Sequence, residues 1–229
     1  GAGLFKRPHG FKIVNDIIYM TDQNDNVALI YTLDGKLLKQ LGTRGQHSDT
    51  GCEDWKILPL RAAGPFNHPT ELMPAPSGDL YVTDGYRNSR VHRFSKDGEL
   101  KQSWGQPGKT APGEFHLPHT MAITPDGTLY VSDRANRRVQ IFTPDGQFKG
   151  QWTGMGGPND MALDKNGIFY LGEQATDTTK PAISVRDGNG TVLARWEVEP
   201  THGMRIDTLG NIYVGITKGG RVDKYALAH

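Results

Sequence analysis

Residues 118–152 read PHTMAITPDGTLYVSDRANRRVQIFTPDGQFKGQW. Four short runs stand in this stretch. The first follows Pro118-His119. The second is Leu129-Tyr130-Val131-Ser132-Asp133, the third is Arg138-Val139-Gln140-Ile141-Phe142, and the fourth ends on Trp152. The runs alternate apolar and polar residues and are rich in Val, Ile, Tyr and Phe, the pattern of half-buried strands. Asp145-Gly146 separates the last two, and Asp-Gly between strands signals a hairpin because glycine accepts positive φ at no steric cost. No long helical pattern appears.

The unit recurs along the chain. Its opening step is found as Pro8-His9, Pro69-Thr70, Pro118-His119 and Pro158-Asn159, with Thr201-His202 as a fifth whose proline is displaced to Pro200. Each step is followed 11 or 12 residues later by a tyrosine: Tyr19, Tyr81, Tyr130, Tyr170 and Tyr213. Asp-Gly steps follow at Asp34-Gly35, Asp97-Gly98, Asp145-Gly146 and Asp187-Gly188. The fourth runs end on Leu41, Trp104, Trp152 and Trp196. Four antiparallel strands per unit at a period of 40 residues or more describe an all-β fold, the β-propeller. Repeats are placed at about 8–45, 66–106, 115–154, 157–199 and 200–229 within one domain spanning 1–229. An insertion from about Arg44 to Gly64 reads as a rim loop. The last repeat holds three strands, so the expectation is a six-bladed ring of which five blades are present and an upstream blade is absent.

Composition agrees with this reading. The chain has 29 glycines in 229 residues, about 13%, against about 7% in ordinary proteins. The 26 Lys+Arg against 25 Asp+Glu leave no global field to gather nucleic acid or an anionic membrane. The longest mainly apolar stretch, Val27 to Leu33, is far short of the ~18 residues of a membrane span. Cys52 is the lone cysteine, which excludes an intrachain disulfide and a Cys-rich zinc site. It has no clear orienting partner for nucleophilic chemistry. No membrane or nucleic-acid partner is expected, and a monomer is.

Comparing repeats separates scaffold from site. The acid after the second strand (Asp22, Asp84, Asp133, Glu173) recurs and reads as a group that satisfies backbone N–H donors of a turn. The Trp104, Trp152 and Trp196 series reads as outer-strand packing. The residue after the repeat proline begins the innermost strand, and these positions converge on the central channel. They are His9, Thr70, His119, Asn159 and His202. In a six-bladed ring alternate blades stand 120° apart, so three imidazoles aim at one axial point. Three histidines with an open fourth position form a recognised zinc arrangement. His47, His68, His92, His116 and His229 fall outside that register, and all but His68 are placed at the surface or rim. Tyr86 and Arg134 are unique residues beside the recurring acid, where the loop could bring them to the channel mouth. Tyr86 is a candidate general base and Arg134 a candidate bidentate carboxylate ligand.

Two segments carry a family resemblance. Phe66-Asn67-His68-Pro69-Thr70-Glu71 with Tyr81-Val82-Thr83-Asp84-Gly85-Tyr86-Arg87-Asn88-Ser89-Arg90 is one. Gly113-Glu114-Phe115-His116-Leu117-Pro118-His119 with Val131-Ser132-Asp133-Arg134-Ala135-Asn136 is the other. Together they resemble the catalytic domain of peptidyl-α-hydroxyglycine α-amidating lyase, a six-bladed NHL-type propeller. The resemblance implies zinc held by His9, His119 and His202, a catalytic Tyr86 and an active-site Arg134. It implies cleavage of an N-acyl-α-hydroxyglycine, peptide or small molecule, to an amide and glyoxylate. It implies a structural calcium as well, to which the Phe11 carbonyl would contribute, and it favours a secreted or periplasmic setting. The chain departs from the family at Gly203 (aspartate, a calcium ligand), Pro200 (methionine) and Arg87 (cysteine in animal members), and it has no counterpart of the first-blade arginine. Two other classes compete. One is a non-catalytic NHL propeller binding protein or RNA through a basic patch (Arg87, Arg90, Arg93, Arg134, Arg137, Arg138). The other is a calcium-dependent propeller hydrolase, which would want an oxygen-ligand site.

Overall fold

A computed structural model describes residues 3–226; His229 lies outside the described residues. The first sheet is β1 (Pro8–Val14), β2 (Ile17–Asp22), β3 (Val27–Thr32) and β4 (Leu37–Leu41). The second is β5 (Pro69–Pro74), β6 (Leu80–Asp84), β7 (Arg90–Phe94) and β8 (Leu100–Trp104). A short parallel pair, β9 (Gln106–Pro107) and β10 (Glu114–Phe115), leads to the third sheet of β11 (Pro118–Ile123), β12 (Leu129–Asp133), β13 (Arg138–Phe142) and β14 (Phe148–Trp152). The fourth is β15 (Pro158–Leu163), β16 (Phe169–Glu173), β17 (Ala182–Arg186) and β18 (Val192–Glu197). The fifth holds β19 (Thr201–Ile206), β20 (Ile212–Ile216) and β21 (Arg221–Tyr225). Each sheet is an antiparallel meander in chain order. The first strands β1, β5, β11, β15 and β19 lie side by side around the channel. The described residues form an all-β propeller of NHL type with five blades.

The core sits between neighbouring sheets. Tyr81 and Val91 of the second sheet pack on Met121, Leu129, Val131 and Phe142 of the third. Tyr130, Val139 and Trp152 meet Met161, Phe169 and Leu171 of the fourth. Burying each large apolar side chain contributes about 1.5–3 kcal/mol, so the inter-sheet layers hold the innermost strands in place. The fourth-strand residue has a second use. A Cβ on the hairpin glycine of the following sheet would collide with it, as for Gly146 on Trp104 (2.7 Å) and Gly190 on Trp152 (2.4 Å). The indoles thus seat the next hairpin, as the recurrence of the Trp series predicts.

That pairing corrects one turn. Gly35, Gly98 and Gly146 have positive φ as expected, but in the fourth sheet the positive-φ residue is Gly190, not Gly188. The Gly190 N–H donates to the Asp187 carbonyl, just as Gly146 donates to Thr143. Asp187 therefore opens the turn, and Asn189-Gly190 occupies the place that Asp-Gly holds elsewhere.

The recurring acids act as latches. Their carboxylates accept the N–H of the residue two before the repeat proline. Lys6 donates to Asp22 (2.7 Å), Asn67 to Asp84 (2.9 Å), His116 to Asp133 (2.8 Å) and Gly156 to Glu173 (3.2 Å). All four acids are buried, so each latch is a strong charge-assisted bond in a dry setting. His92 departs from expectation here. It is fully buried rather than at the rim, with Nε2 3.3 Å from Asp84 and Nδ1 2.7 Å from the Ser103 hydroxyl. Gln140 and Ser184 meet Asp133 and Glu173 from the same third-strand level, so His92 is a strut of the scaffold.

Candidate metal centre

Every innermost strand shifts register at its channel residue. The shift falls between Pro8 and Phe11, Pro69 and Glu71, Pro118 and Met121, Pro158 and Asp160, and Thr201 and Gly203. A bulge bends the strand and re-aims the side chain, which turns these residues toward the axis. Second-strand hydroxyls satisfy the donors that the bulge releases: Gly10 N–H donates to Thr21 Oγ1 and Thr120 N–H to Ser132 Oγ, at 2.9 and 3.0 Å.

His9, His119 and His202 meet there as the repeat register predicts. Their ring centroids lie 4.9 to 5.0 Å apart, and one ligand atom from each lies within 4.8 Å of the others. His9 Nδ1 stands 2.7 Å from the Thr70 carbonyl, and His119 Nδ1 2.6 Å from the Asn159 carbonyl. A carbonyl only accepts, so the proton sits on Nδ1 and the Nε2 lone pair is free, the tautomer of a metal ligand. Burial lowers the pKa of all three. It is the main cause for His9, it takes His119 well below the ordinary value, and it takes His202 down to about 4, aided there by His9 and Arg134. The trio is neutral at neutral pH and has the donor set for a divalent transition metal.

The Tyr86 hydroxyl sits against the same point, 3.1 Å from His9 Nε2, 3.1 Å from His119 Nε2 and 3.2 Å from His202 Nε2. Its backbone reaches this place because residue 85 is glycine: a Cβ there would stand 1.9 Å from the Pro118 carbonyl oxygen. Arg134 Nη1 lies 3.5 Å from the Tyr86 oxygen. With its amide oxygen turned toward Arg134, Gln174 accepts from Nη2 at 2.6 Å. Burial pushes the Tyr86 phenol pKa up, and Arg134 pulls against it. The loops after β6 and β12 close back on the chain before each proline, through Tyr86 N–H to His68 O and Arg134 N–H to Leu117 O.

Trp55 is the site residue that repeat comparison misses. The 44–64 insertion does lie outside the sheets, but it also brings this indole edge-on to Tyr86 at 5.9 Å. Thr50 and Asn67 tie the insertion to the Tyr86 loop, through Thr50 Oγ1 to Arg87 O and Asn67 Nδ2 to Ser48 O. His68 stays out of the cluster, with Nδ1 3.2 Å from Gln23 Nε2. His47 is exposed and His116 half-buried. Cys52 is buried, its thiol directed to the Asp54 carbonyl, and burial raises its pKa, which suits an inert thiol. A cavity of about 310 Å³ in the channel, lined by residues of all five sheets, reaches the three imidazoles and is bordered by Phe11, Asp160 and Tyr213. Tyr86 and Arg134 do not line it.

Comparison with known proteins agrees with this architecture. The NHL repeat family matches residues 115–142. A probable peptidyl-alpha-hydroxyglycine alpha-amidating lyase of Caenorhabditis elegans is 29% identical over 97% of the chain and 64% of its own length. NHL repeat-containing protein 3 of Homo sapiens is 28% identical over 95% of the chain and 66% of its own length. The chain thus spans about two thirds of these relatives. Among solved structures, virginiamycin B lyase from Staphylococcus aureus superposes with a TM-score of 0.63 at 15% identity, covering 97% of this chain and 71% of that one. The likeness to that structure is one of fold alone. The chain is an NHL-repeat β-propeller that resembles the amidating lyases over most of its length.

Proposed function

We propose that the chain is a zinc-dependent lyase that cleaves an N-acyl-α-hydroxyglycine to an amide and glyoxylate. The observation that carries this reading is the convergence of three neutral imidazole Nε2 atoms and one tyrosine hydroxyl on a single buried point. When bound by His9, His119 and His202, zinc would supply a Lewis acid for the substrate hydroxyl oxygen and a positive field favouring the Tyr86 phenolate. Arg134 would hold the substrate carboxylate through its planar fork. Tyr86 would take the hydroxyl proton. The carbon–nitrogen bond then breaks, its electron pair leaves on the amide nitrogen, and the former hydroxyl carbon becomes the aldehyde of glyoxylate. The proton on Tyr86 can return to that nitrogen, so the reaction balances without a further reactant. Trp55 would wall the acyl side, where its exposed indole covers Tyr86.

The competing reading is a non-catalytic propeller, since one relative is named for its repeats alone. A scaffold role gives no reason to join Tyr86, Arg134 and three histidines at the axis. Incubating the zinc-loaded chain with an N-acyl-α-hydroxyglycine and measuring glyoxylate separates the two. Stoichiometric amide and glyoxylate support the lyase; a folded, zinc-loaded chain that releases none rejects it.

A further inference from the structure

Beyond the three imidazoles the channel holds four charges. Glu71 and Asp160 each stand one residue past a channel position. Lys12 Nζ lies 3.2 Å from Glu71 Oε1 and donates to the Met121 carbonyl at 3.2 Å. Glu71 Oε2 accepts from the Thr120 hydroxyl and the Met121 N–H. Asp160 accepts from the N–H groups of Met161 and Met204. Arg205 lies 2.7 Å from Asp160 and 3.5 Å from Glu71. Lys12, Glu71 and Asp160 are buried. Two cations therefore balance two carboxylates in a site where an unpaired charge is costly.

Arg205 has another bond. Its Nε and Nη2 donate to the Phe11 carbonyl at 3.1 and 2.5 Å, across 194 residues of chain. Phe11 stands two residues after His9 on β1, and Arg205 three residues after His202 on β19. The guanidinium thus links the strand that carries one imidazole to the strand that carries another. The Phe11 carbonyl is also the oxygen that the family resemblance would give to a structural calcium. Here a guanidinium faces it, and Gly203 brings no carboxylate. A divalent cation added to this neutral cluster would leave two uncompensated charges beside Arg205, so these residues do not fit calcium.

We propose that Arg205, together with Lys12, does the work of a divalent cation in the channel and is the positioning residue that sets the spacing of His9 and His202. The zinc arm of its test rests on the metal-centre reading above; the calcium arm does not. In the calcium arm, the full chain is stripped of metal and melted with and without millimolar calcium chloride, and calcium retained after dialysis is counted. Wild type is expected to show no shift in Tm and no retained calcium. A Tm that rises with calcium, with about one ion retained, overturns the proposal. In the zinc arm, zinc is titrated against a chromophoric chelator. Arg205→Met should weaken zinc affinity by about 10–100-fold, the usual effect of losing a group that orients a metal ligand, with Arg205→Lys falling between. A folded Arg205→Met protein that binds zinc as tightly as wild type overturns the positioning role. Should that variant fail to fold, Gly203→Asp with Arg205→Ala decides the substitution. It frees the Phe11 carbonyl and places a carboxylate near Asp160, where a Cβ on Gly203 meets nothing closer than Asp160 Oδ2 at 3.9 Å. This double variant should gain a calcium-dependent rise in Tm, and no gain counts against the proposal. If wild type binds no zinc, the lyase reading falls while the calcium arm still decides this one.

Discussion

Replacing Tyr86 with Phe removes one oxygen and little else. The ring is buried and stands edge-on to His9, His119 and Trp55 at 5.1, 5.5 and 5.9 Å, contacts that phenylalanine keeps. The lost hydroxyl is close to three imidazole nitrogens and to Arg134. Because hydrogen-bond exchange with water offsets most of the loss, stability should fall by only about 1 kcal/mol. Zinc binding should persist, since the three imidazoles and the Nδ1 bonds of His9 and His119 are untouched. Catalysis should fall much further. A positioned proton acceptor contributes roughly 10²–10⁴-fold, which is about 3–5.5 kcal/mol of barrier at 1.36 kcal/mol per decade. The proton moves only as the transition state forms, so kcat and kcat/KM should drop together with KM little changed. The assay is glyoxylate release from an N-acyl-α-hydroxyglycine with zinc content measured on the same sample. A zinc-loaded Tyr86→Phe protein with near wild-type kcat would refute the role assigned to this residue.

Three further outcomes are expected. Arg134→Gln should raise KM by roughly 10–100-fold, the worth of a hydrogen bond to a charged group, and should leave the KM of a substrate whose carboxylate is an amide little changed, while kcat falls for both because Arg134 also holds the Tyr86 pKa down; equal effects on the two KM values would remove Arg134 from carboxylate binding. Gly85→Ala puts a methyl group 1.9 Å from the Pro118 carbonyl oxygen, so it should lower both Tm and glyoxylate release, and a variant with wild-type Tm and rate would show that the close approach is not required. In the metal-free chain, burial holds His68 and His202 at about 4, below the ordinary 6.5. The folded state then binds fewer protons than the unfolded one, so their contribution is complete above pH about 6.5 and is lost as pH falls toward about 4; thermal unfolding of metal-free protein across that range should show Tm falling, and a flat profile would contradict the burial argument.

Repeat comparison reached the channel because it asks which positions recur. His9, His119 and His202 share one register, and the bulge at that register does the aiming in every blade. It also picked out Tyr86 and Arg134 as departures from the repeat. The same logic cannot see Trp55, which stands on an insertion with no counterpart to compare. It misplaced His92 because His92, Gln140 and Ser184 are different residue types with one task, meeting the buried acid of their blade. It placed the fourth hairpin two residues early because Asp187-Gly188 and Asn189-Gly190 both carry a turn signature, and the positive φ of Gly190, its bond to Asp187 and the packed indole of Trp152 decide between them. The bond from Arg205 to Phe11 joins the two ends of the chain and leaves no local pattern at all.

Everything proposed for this site depends on His9, His119 and His202, from alternate blades, holding one zinc ion. Metal content of the folded chain, after exposure to zinc and exhaustive dialysis, tests it most directly. Wild type should retain about one zinc per chain, and His119→Ala should lose it. A folded wild-type chain that retains no zinc, or a His119→Ala chain that retains it fully, would rule out a three-histidine zinc site.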